Sequence, residues 1–261
     1  MYQTKLKKIL NASKNFFISL LCLYSGLSFG MPSPEPVQNE LTPGMQQATT
    51  NNPAPLYGAE LCSNKNYTCY QVKPGDTWVG LWPNPRERDI VMRLNRTNVA
   101  LKYREWIVIP NNLAHITLMD ISPFPSKIAN PDQSKFVVVD LGLEAFAAYN
   151  AQGELVFWGP ATMGREMCPD IGKPCKTVEG SFHIIRKKDV NCQSNTYPLG
   201  LGGSAMPYCM FFYGGYAMHG SQLPGKPSTH GCVGIFDNDA RWLNQDFIEA
   251  GPNGTRIDVI S

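Results

Sequence analysis

Short apolar runs separated by turn residues dominate the second half of this chain of 261 residues. The stretch from Lys135 to Gly164 reads KFVVVDLGLEAFAAYNAQGELVFWGPATMG, with turn signals at Leu141-Gly142 and from Asn150 to Gly153. Short apolar runs bounded by such turns indicate a meander of strands. No long helical patterns alternate with these runs, so a parallel α/β sheet is not expected. The sequence therefore predicts a mainly β fold.

Further apolar stretches extend the β pattern towards the C-terminus. TVEGSFHIIRK is predicted to turn at Glu179-Gly180, and PYCMFFYGGYAMHG is predicted to turn at Gly214-Gly215. One helix is predicted within DNDARWLNQDF, with Asp237 or Asn238 as its N-cap.

Residues 1–30 are predicted to be an export signal. Four lysines precede the apolar run FFISLLCLYSGLSFG, which ends in small residues and is too short for a comfortable membrane span. An uncleaved membrane anchor is the alternative. Removal takes four of the 23 basic residues and leaves fewer than the 21 acidic ones, with no clustered basic face for nucleic acid. We expect an exported protein of the periplasm or cell envelope, without a nucleic-acid partner or stable membrane insertion after cleavage.

Two proline-containing stretches divide the rest of the chain. Residues 31–66 are rich in Pro, Gln, Asn and Thr and poor in large apolar residues, which favours a flexible linker. Residues 113–134 contain ISPFPSKIANPDQS, where prolines interrupt both helix and strand, and are predicted to form a second linker. A small domain at 67–112 and a large domain at 135–261 remain.

The small domain is predicted to fold as strand, helix, helix and strand. After the opening YQV, the turn KPGDT offers Asp76 or Thr77 as a helix cap, and a second helix is expected from Arg88 to Leu94. YQVKPGDT, the later Asn95 and the closing Ile-Pro resemble a LysM domain. This resemblance implies binding to glycans that contain N-acetylglucosamine, such as peptidoglycan. The alternative is a degenerate module that only packs against its neighbour.

Seven of the eight cysteines lie beyond the predicted signal. Sequence alone does not determine their connectivity, but the simplest pairing joins near neighbours. The predicted disulfides are Cys62–Cys69, Cys168–Cys175 and Cys192–Cys209. They favour an oxidising compartment, and the absence of paired C-x-x-C spacing argues against structural zinc. Cys232 is left over, either as an inert buried thiol or as a reactive group.

The segment MHGSQLPGKPSTHGCVG combines Cys232 with two histidines. A cysteine nucleophile acts as its thiolate, which a neighbouring imidazole favours. We expect His219 to be the base, because it can face the cysteine across a returning loop, whereas the side chain of His230 would point beside it. The amides of Gly231 and Cys232 can point at one oxygen. The remaining two histidines are predicted to be structural or exposed.

The stretch from His219-Gly220 through STHGCV resembles the signature of the YkuD-type L,D-transpeptidase catalytic domain. KTVEGSFHI, GYAMHG and PNGTRIDVI are similar to other strands of that family, so the resemblance covers most of residues 135–261. It implies a β-sandwich with the cysteine at the mouth of a cleft. It also implies acyl transfer on peptidoglycan stem peptides without a metal or an organic cofactor.

The resemblance implies roles for single residues. Cys232 would attack the carbonyl of the diamino acid at stem position three, with His219 as general base and the amides of Gly231 and Cys232 holding the oxyanion. Terminal D-alanine would leave, and an amine of a second stem would resolve the thioester into a 3-3 crosslink. The carbonyl of Gly220 or Ser221 would orient the imidazole. The implied substrate-binding residues are His230, Thr229, Tyr208 and Met206.

Two positions depart from the family pattern. Gly234 stands where an arginine or asparagine is usual, and Thr229 stands where a serine is usual. Loss of the arginine removes a charged donor beside the nucleophile, which bears on acceptor choice and catalytic strength. If water resolves the thioester, the same site is a carboxypeptidase or an amidase. If catalysis has been lost, the chain is a non-catalytic peptidoglycan-binding protein.

Overall fold

Eleven strands organise the part of the chain that the computed structural model describes, namely residues 57–194, 196 and 204–261. The strands are β1 (Tyr67–Gln71), β2 (Trp106–Pro110), β3 (Phe136–Asp140), β4 (Ala145–Tyr149), β5 (Leu155–Thr162), β6 (Gly180–His183), β7 (Arg186–Lys187), β8 (Met210–Tyr213), β9 (Tyr216–Gly220), β10 (Val233–Ile235) and β11 (Arg256–Ile260). The predicted signal, residues 1–30, and most of the predicted first linker lie outside the described residues.

Helices are short and few among the described residues. They are α1 (Trp78–Leu81), α2 (Pro85–Leu94) and α3 (Asp237–Trp242), the last continuing as a π-helical turn over Leu243–Phe247, with 3₁₀ turns at Ala59–Ser63, Leu101–Tyr103 and Met119–Ile121. None of the described helices is long and apolar enough to cross a membrane. The mainly β prediction is confirmed.

Strands β3 to β11 form one mixed sheet of nine strands in the order β6-β11-β3-β4-β5-β10-β9-β8-β7. The predicted meander of β3, β4 and β5 is antiparallel, whereas β11 pairs with β3 and β10 pairs with β9 in parallel. The sheet curls, so that the ring of Phe182 in β6 lies 5.5 Å from that of Phe212 in β8. The two layers of the predicted sandwich are therefore parts of a single sheet, which encloses the main apolar core.

Strands β3 and β4 are buried along their whole length, because both of their faces are covered. One face contributes Val137 and Val139 to the core. On the other face of the sheet, Trp158 in β5 donates its indole N–H to the carbonyl of Leu118 at 2.7 Å. The hydroxyl of Tyr149 in β4 donates to the carbonyl of Pro125 at 3.0 Å. The segment 113–134, predicted to be a linker, is thus packed against the large sheet.

The small domain has the predicted order of strand, helix, helix and strand. Strands β1 and β2 are antiparallel, and α1 begins after Thr77, whose hydroxyl accepts from the amide of Gly80 at 3.0 Å. Helix α2 starts earlier than Arg88, because Asn84 caps it and Pro85 occupies its first turn. The core of the small domain consists of Trp78, Trp82, Val91, Leu101 and Ile107.

The small domain and the large sheet belong to one compact unit. The loop after α2 meets residues 221–225: the Thr97 hydroxyl donates to the carbonyl of Leu223 at 2.8 Å, and the Asn98 side chain accepts from the amide of the same residue at 2.7 Å. Arg104 donates to the carbonyl of Pro224 at 3.0 Å. The loop that follows the motif histidine is therefore held by the small domain.

Two local predictions are corrected. Neither Asp237 nor Asn238 caps α3, because Phe236 is the N-cap and makes no side-chain capping bond. Residues 57–66, predicted as part of the flexible linker, are folded: the Tyr57 amide donates to the carbonyl of Gly225 at 2.7 Å, and its ring lies 4.3 Å from the Arg96 guanidinium. The cation–π contact with a buried arginine holds this end of the segment in place.

All three predicted disulfides are present, and Cys232 is free. The Cys62–Cys69 bridge joins the 3₁₀ turn at Ala59–Ser63 to β1, and the other two bridges lie in the loops after β5 and before β8. Disulfides of this number are typical of proteins from oxidising compartments.

Candidate active site

A cleft of about 610 Å³ opens beside β9 and β10. The residues of the predicted site that line it are His219, Gly220, Ser221, Met206, Thr229, His230 and Cys232. Tyr208, also predicted to bind substrate, does not line the cleft. It lies in the left-handed region with φ of 57° and packs against the main core.

His219 sits at the end of β9 and is only 4% exposed. Its Nδ1 lies 2.9 Å from the carbonyl of Gly220. A carbonyl can only accept, so Nδ1 carries the proton and Nε2 keeps a lone pair. Burial lowers the pKa of His219, and the bond to Gly220 opposes that shift. The imidazole is therefore neutral at pH 7 and ready to accept a proton. Of the two carbonyls predicted to orient it, Gly220 makes the contact.

Cys232 lies immediately before β10, and its Sγ is 3.8 Å from the carbonyl oxygen of Gly215. Burial raises the pKa of the Cys232 thiol, and a hydrogen bond from the backbone of Ala217 opposes the rise. At neutral pH the resting site accordingly holds a thiol and a neutral imidazole.

The parallel pairing of β9 and β10 explains how two residues thirteen positions apart share one cleft. His219 is directly opposite Gly234 in the register. Directly opposed residues project from the same face of a sheet, and residues two apart on a strand also share a face. Cys232, two residues before Gly234, is thus directed to the side on which His219 lies. Gly234 itself adds no side chain between them.

The turn before Cys232 is shaped by Thr229. Its hydroxyl donates to the carbonyl of Cys232 at 2.6 Å and accepts from the amide of Gly231 at 3.1 Å. Gly231 has φ of 120°, and a Cβ there would stand 2.6 Å from Cε1 of Tyr216, so the position requires glycine. Because the Gly231 amide is engaged by Thr229, only the Cys232 amide remains of the two predicted oxyanion donors.

The imidazole of His230 contacts a charged pair that the sequence did not predict. Its Nε2 lies 2.6 Å from Oδ2 of Asp170 and 3.5 Å from Nη2 of Arg165. Asp170 stands on the loop closed by the Cys168–Cys175 disulfide, whose two sulfurs lie 3.8 and 3.6 Å from the carbonyl oxygen of Thr229. A charged residue between two bridged cysteines is the only sequence signal for this contact.

Asp170, His230 and Cys168 have donor atoms within 4.8 Å of one another. The sulfur of Cys168 is committed to a disulfide and offers no thiolate to a metal. Two remaining ligands fall short of the three protein ligands usual for a zinc site.

Gly234 is tightly enclosed. A Cβ at this position would stand 2.8 Å from Cγ2 of Thr162 and 2.9 Å from Cβ of Ser221. The amide of Ser221 is bonded to the carbonyl of Ile235 at 2.8 Å, so its backbone cannot easily withdraw. The space that an arginine or asparagine would need at this position is therefore filled by these two side chains.

Comparison with protein families identifies the large domain. Residues 134–257 match the family model described as the L,D-transpeptidase catalytic domain, YkuD. This part of the chain is similar to that catalytic domain. The match contains His219, Cys232 and every strand from β3 to β10, which agrees with the family resemblance seen in the sequence.

Solved structures of L,D-transpeptidases are similar to the chain. That from Xylanimonas cellulosilytica is 28% identical over 60% of this chain and 72% of its own, with a TM-score of 0.46. That from Stackebrandtia nassauensis is 20% identical over 54% of this chain and 62% of its own, with a TM-score of 0.43. L,D-transpeptidase 3 from Mycobacterium tuberculosis is 18% identical over 49% of this chain and 61% of its own, with a TM-score of 0.39. No curated protein matches the chain.

Proposed function

We propose that the protein is a cysteine-dependent L,D-transpeptidase that forms 3-3 crosslinks between peptidoglycan stem peptides. The observation that carries this proposal is the shared cleft of His219 and Cys232, with Nδ1 of His219 bonded to the Gly220 carbonyl at 2.9 Å. This bond leaves the lone pair of Nε2 as the one available proton acceptor of the imidazole.

In the first step, the Cys232 thiol loses its proton to Nε2 of His219 as Sγ attacks the carbonyl of the diamino acid. A carbon–sulfur bond forms, and the bond from that carbon to the nitrogen of terminal D-alanine breaks. The imidazolium returns the proton to the departing amine. The directions of the two pKa shifts support a proton transfer coupled to attack, because the resting pair is neutral.

The amide of Cys232 is proposed to stabilise the oxyanion, since Gly231 donates instead to the Thr229 hydroxyl. Thr229 also fixes the Cys232 carbonyl, so this turn holds the donor in place. In the second step an amine of another stem attacks the thioester, and a peptide bond replaces the carbon–sulfur bond. Attack by water instead makes the same site a carboxypeptidase, and release of a wall-bound protein makes it an amidase.

The small domain is proposed to bind glycan strands and so keep the enzyme on the wall. Support comes from the order of its elements and from a cavity of about 530 Å³ beside β1 and β2. The cavity is lined by the amide side chains of Asn66, Asn111 and Asn112 and by Tyr67, groups suited to sugar hydroxyls and rings. The three disulfides support action in the periplasm or cell envelope.

The test is incubation of the purified, oxidised protein with tetrapeptide-containing muropeptides, followed by mass spectrometry. We expect a product lighter than two substrates by one D-alanine, formed by the native protein and absent with Cys232→Ser. Tripeptide alone would establish hydrolysis instead. Unchanged substrate, with both proteins still sedimenting with insoluble peptidoglycan, would leave only the binding function. Equal activity of Cys232→Ser would refute the nucleophile assignment.

A further inference from the structure

Arg165 is the single lysine or arginine among the described residues that line the cleft. It lies shortly after β5, which ends at Thr162, and its side chain is 34% exposed. Its backbone amide donates to the carbonyl of Thr229 at 3.1 Å, so the residue is tied to the turn that precedes Cys232. A fixed cation therefore stands at the wall of a cleft that otherwise presents mainly small polar groups.

The guanidinium of Arg165 is incompletely satisfied within the described residues. Its Nη2 lies 3.5 Å from Oδ1 of Asp170 and 3.5 Å from Nε2 of His230, both long for hydrogen bonds. Its Nε is buried and has no hydrogen-bond partner. Asp170 makes its short contact, 2.6 Å, with His230 instead. Asp170 thus lies beside one end of the guanidinium, and its short contact is made with His230.

The loop around Arg165 is rigid enough to hold this arrangement. The Cys168–Cys175 disulfide closes it, and the Gly164 amide donates to the Thr177 hydroxyl at 2.9 Å. A planar guanidinium with free donors, held in place, is complementary to a carboxylate, which can accept two parallel N–H bonds.

We propose that Arg165 binds a carboxylate of the donor peptide and makes the enzyme selective for donors in which that carboxylate is free. This inference rests on the proposed function, since it concerns the substrate of the same cleft. The donor carries carboxylates both on the terminal D-alanine and, where the diamino acid has one, on its side chain. The two share one chemistry, and the experiment separates them.

The experiment measures formation of the thioester on Cys232 by mass spectrometry, using the purified protein with its disulfides intact. Three tetrapeptide donors are compared: one with both carboxylates free, one amidated at the C-terminus, and one amidated at the side chain of the diamino acid. We expect one of the two amides to lower kcat/KM for acylation by about 10- to 100-fold, the range for a charged hydrogen bond. The amide that does so identifies the carboxylate.

Variants assign the effect to Arg165. In Arg165→Gln, acylation of Cys232 by the donor with both carboxylates free should be slower by a similar factor. The free and the amidated donors should then acylate this variant at equal rates. Lys176→Gln is the matched control, because it removes a cation from the same loop, where the amine is 61% exposed and paired with Glu166 at 2.6 Å. It should leave the discrimination unchanged. Alkylation of Cys232 by iodoacetamide, a neutral reagent, should proceed at the native rate in both variants, which shows an intact nucleophile.

The outcomes separate the two proposals. Rapid acylation of the native protein by all three donors at equal rates would overturn the role of Arg165 and leave the transpeptidase proposal standing. Discrimination that persists in Arg165→Gln would also overturn it. Absence of thioester with every donor, despite normal alkylation, would refute the proposed function and this inference with it.

Discussion

The ion pair between Arg93 and Asp239 joins the small domain to the catalytic domain, and its removal gives a sharp test of how the two are coupled. Arg93 lies in the last turn of α2 and Asp239 lies in α3. Their contacts are bidentate, at 2.7 and 2.8 Å, and the side chains are 7% and 2% exposed. Burial raises the pKa of Asp239, and the contacts with Arg93 oppose that rise.

Substitution of Arg93 by methionine keeps the apolar volume of the stem but leaves the carboxylate of Asp239 buried without its partner. Breaking one side of a buried pair costs about 3–5 kcal/mol. The guanidinium also lies 5.3 Å from the ring centres of Phe157 and Phe236, so part of the loss comes from these contacts. We expect Arg93→Met to lower the free energy of unfolding by about 4 kcal/mol.

The assay is equilibrium urea unfolding of the oxidised protein, followed by tryptophan fluorescence. A double-mutant cycle with Asp239→Leu isolates the coupling, and the double variant should recover most of the loss because no charge is then left buried. The exposed pair of Lys127 and Glu154, 64% and 52% exposed, supplies the control. Lys127→Met should change stability by no more than about 1 kcal/mol.

Two results would refute this reasoning. One is a loss below about 1 kcal/mol in Arg93→Met, which would mean that water reaches Asp239 and replaces the arginine. The other is a double variant less stable than either single one, which would mean that the pair acts through packing and not through compensation of charge.

Two further predictions concern pH and the departure from the family pattern. Burial raises the pKa of Glu144 to about 7, against the opposing effect of Arg96 and Arg104, so the folded state holds a proton that the unfolded state releases at lower pH. Stability should therefore fall by up to about 3 kcal/mol as pH rises from about 4.5 to 7, and Glu144→Gln should flatten this slope in thermal unfolding. Gly234→Ala should lower the free energy of unfolding by about 1–3 kcal/mol, because the added methyl group would press on Thr162 and Ser221. A second substitution, Ser221→Gly, should restore part of that stability. Native stability of Gly234→Ala in urea unfolding would contradict the steric explanation.

Patterns confined to short stretches of sequence predict the strands and the disulfides. The apolar runs around Leu141-Gly142 and Gly214-Gly215 become β3, β4, β8 and β9. Apolar runs that are separated by glycine turns have few other ways to pair the hydrogen-bonding groups of their backbone. Near-neighbour cysteines pair because short loops bring them together. The family resemblance of the large domain was likewise readable from a few closely spaced residues, and the family model supports it.

Contacts between distant parts of the chain appear only in the tertiary structure. Helix α2 starts at Pro85 and the loop after it contacts residues 221–225, which sequence periodicity does not show. Segment 113–134 packs on β4 and β5 although its prolines suggest a linker. The pairing of Asp170 with His230, and the enclosure of Gly234 by Thr162 and Ser221, are of the same kind.

Sequence alone thus determined which residue types carry chemistry and where the chain extends or turns, because those properties depend on near neighbours. The tertiary structure decided which of the two predicted oxyanion amides remains available, which side chains surround the cleft and what holds the loop after His219. These depend on distances between residues far apart in the chain, and such distances are set by packing of the whole unit.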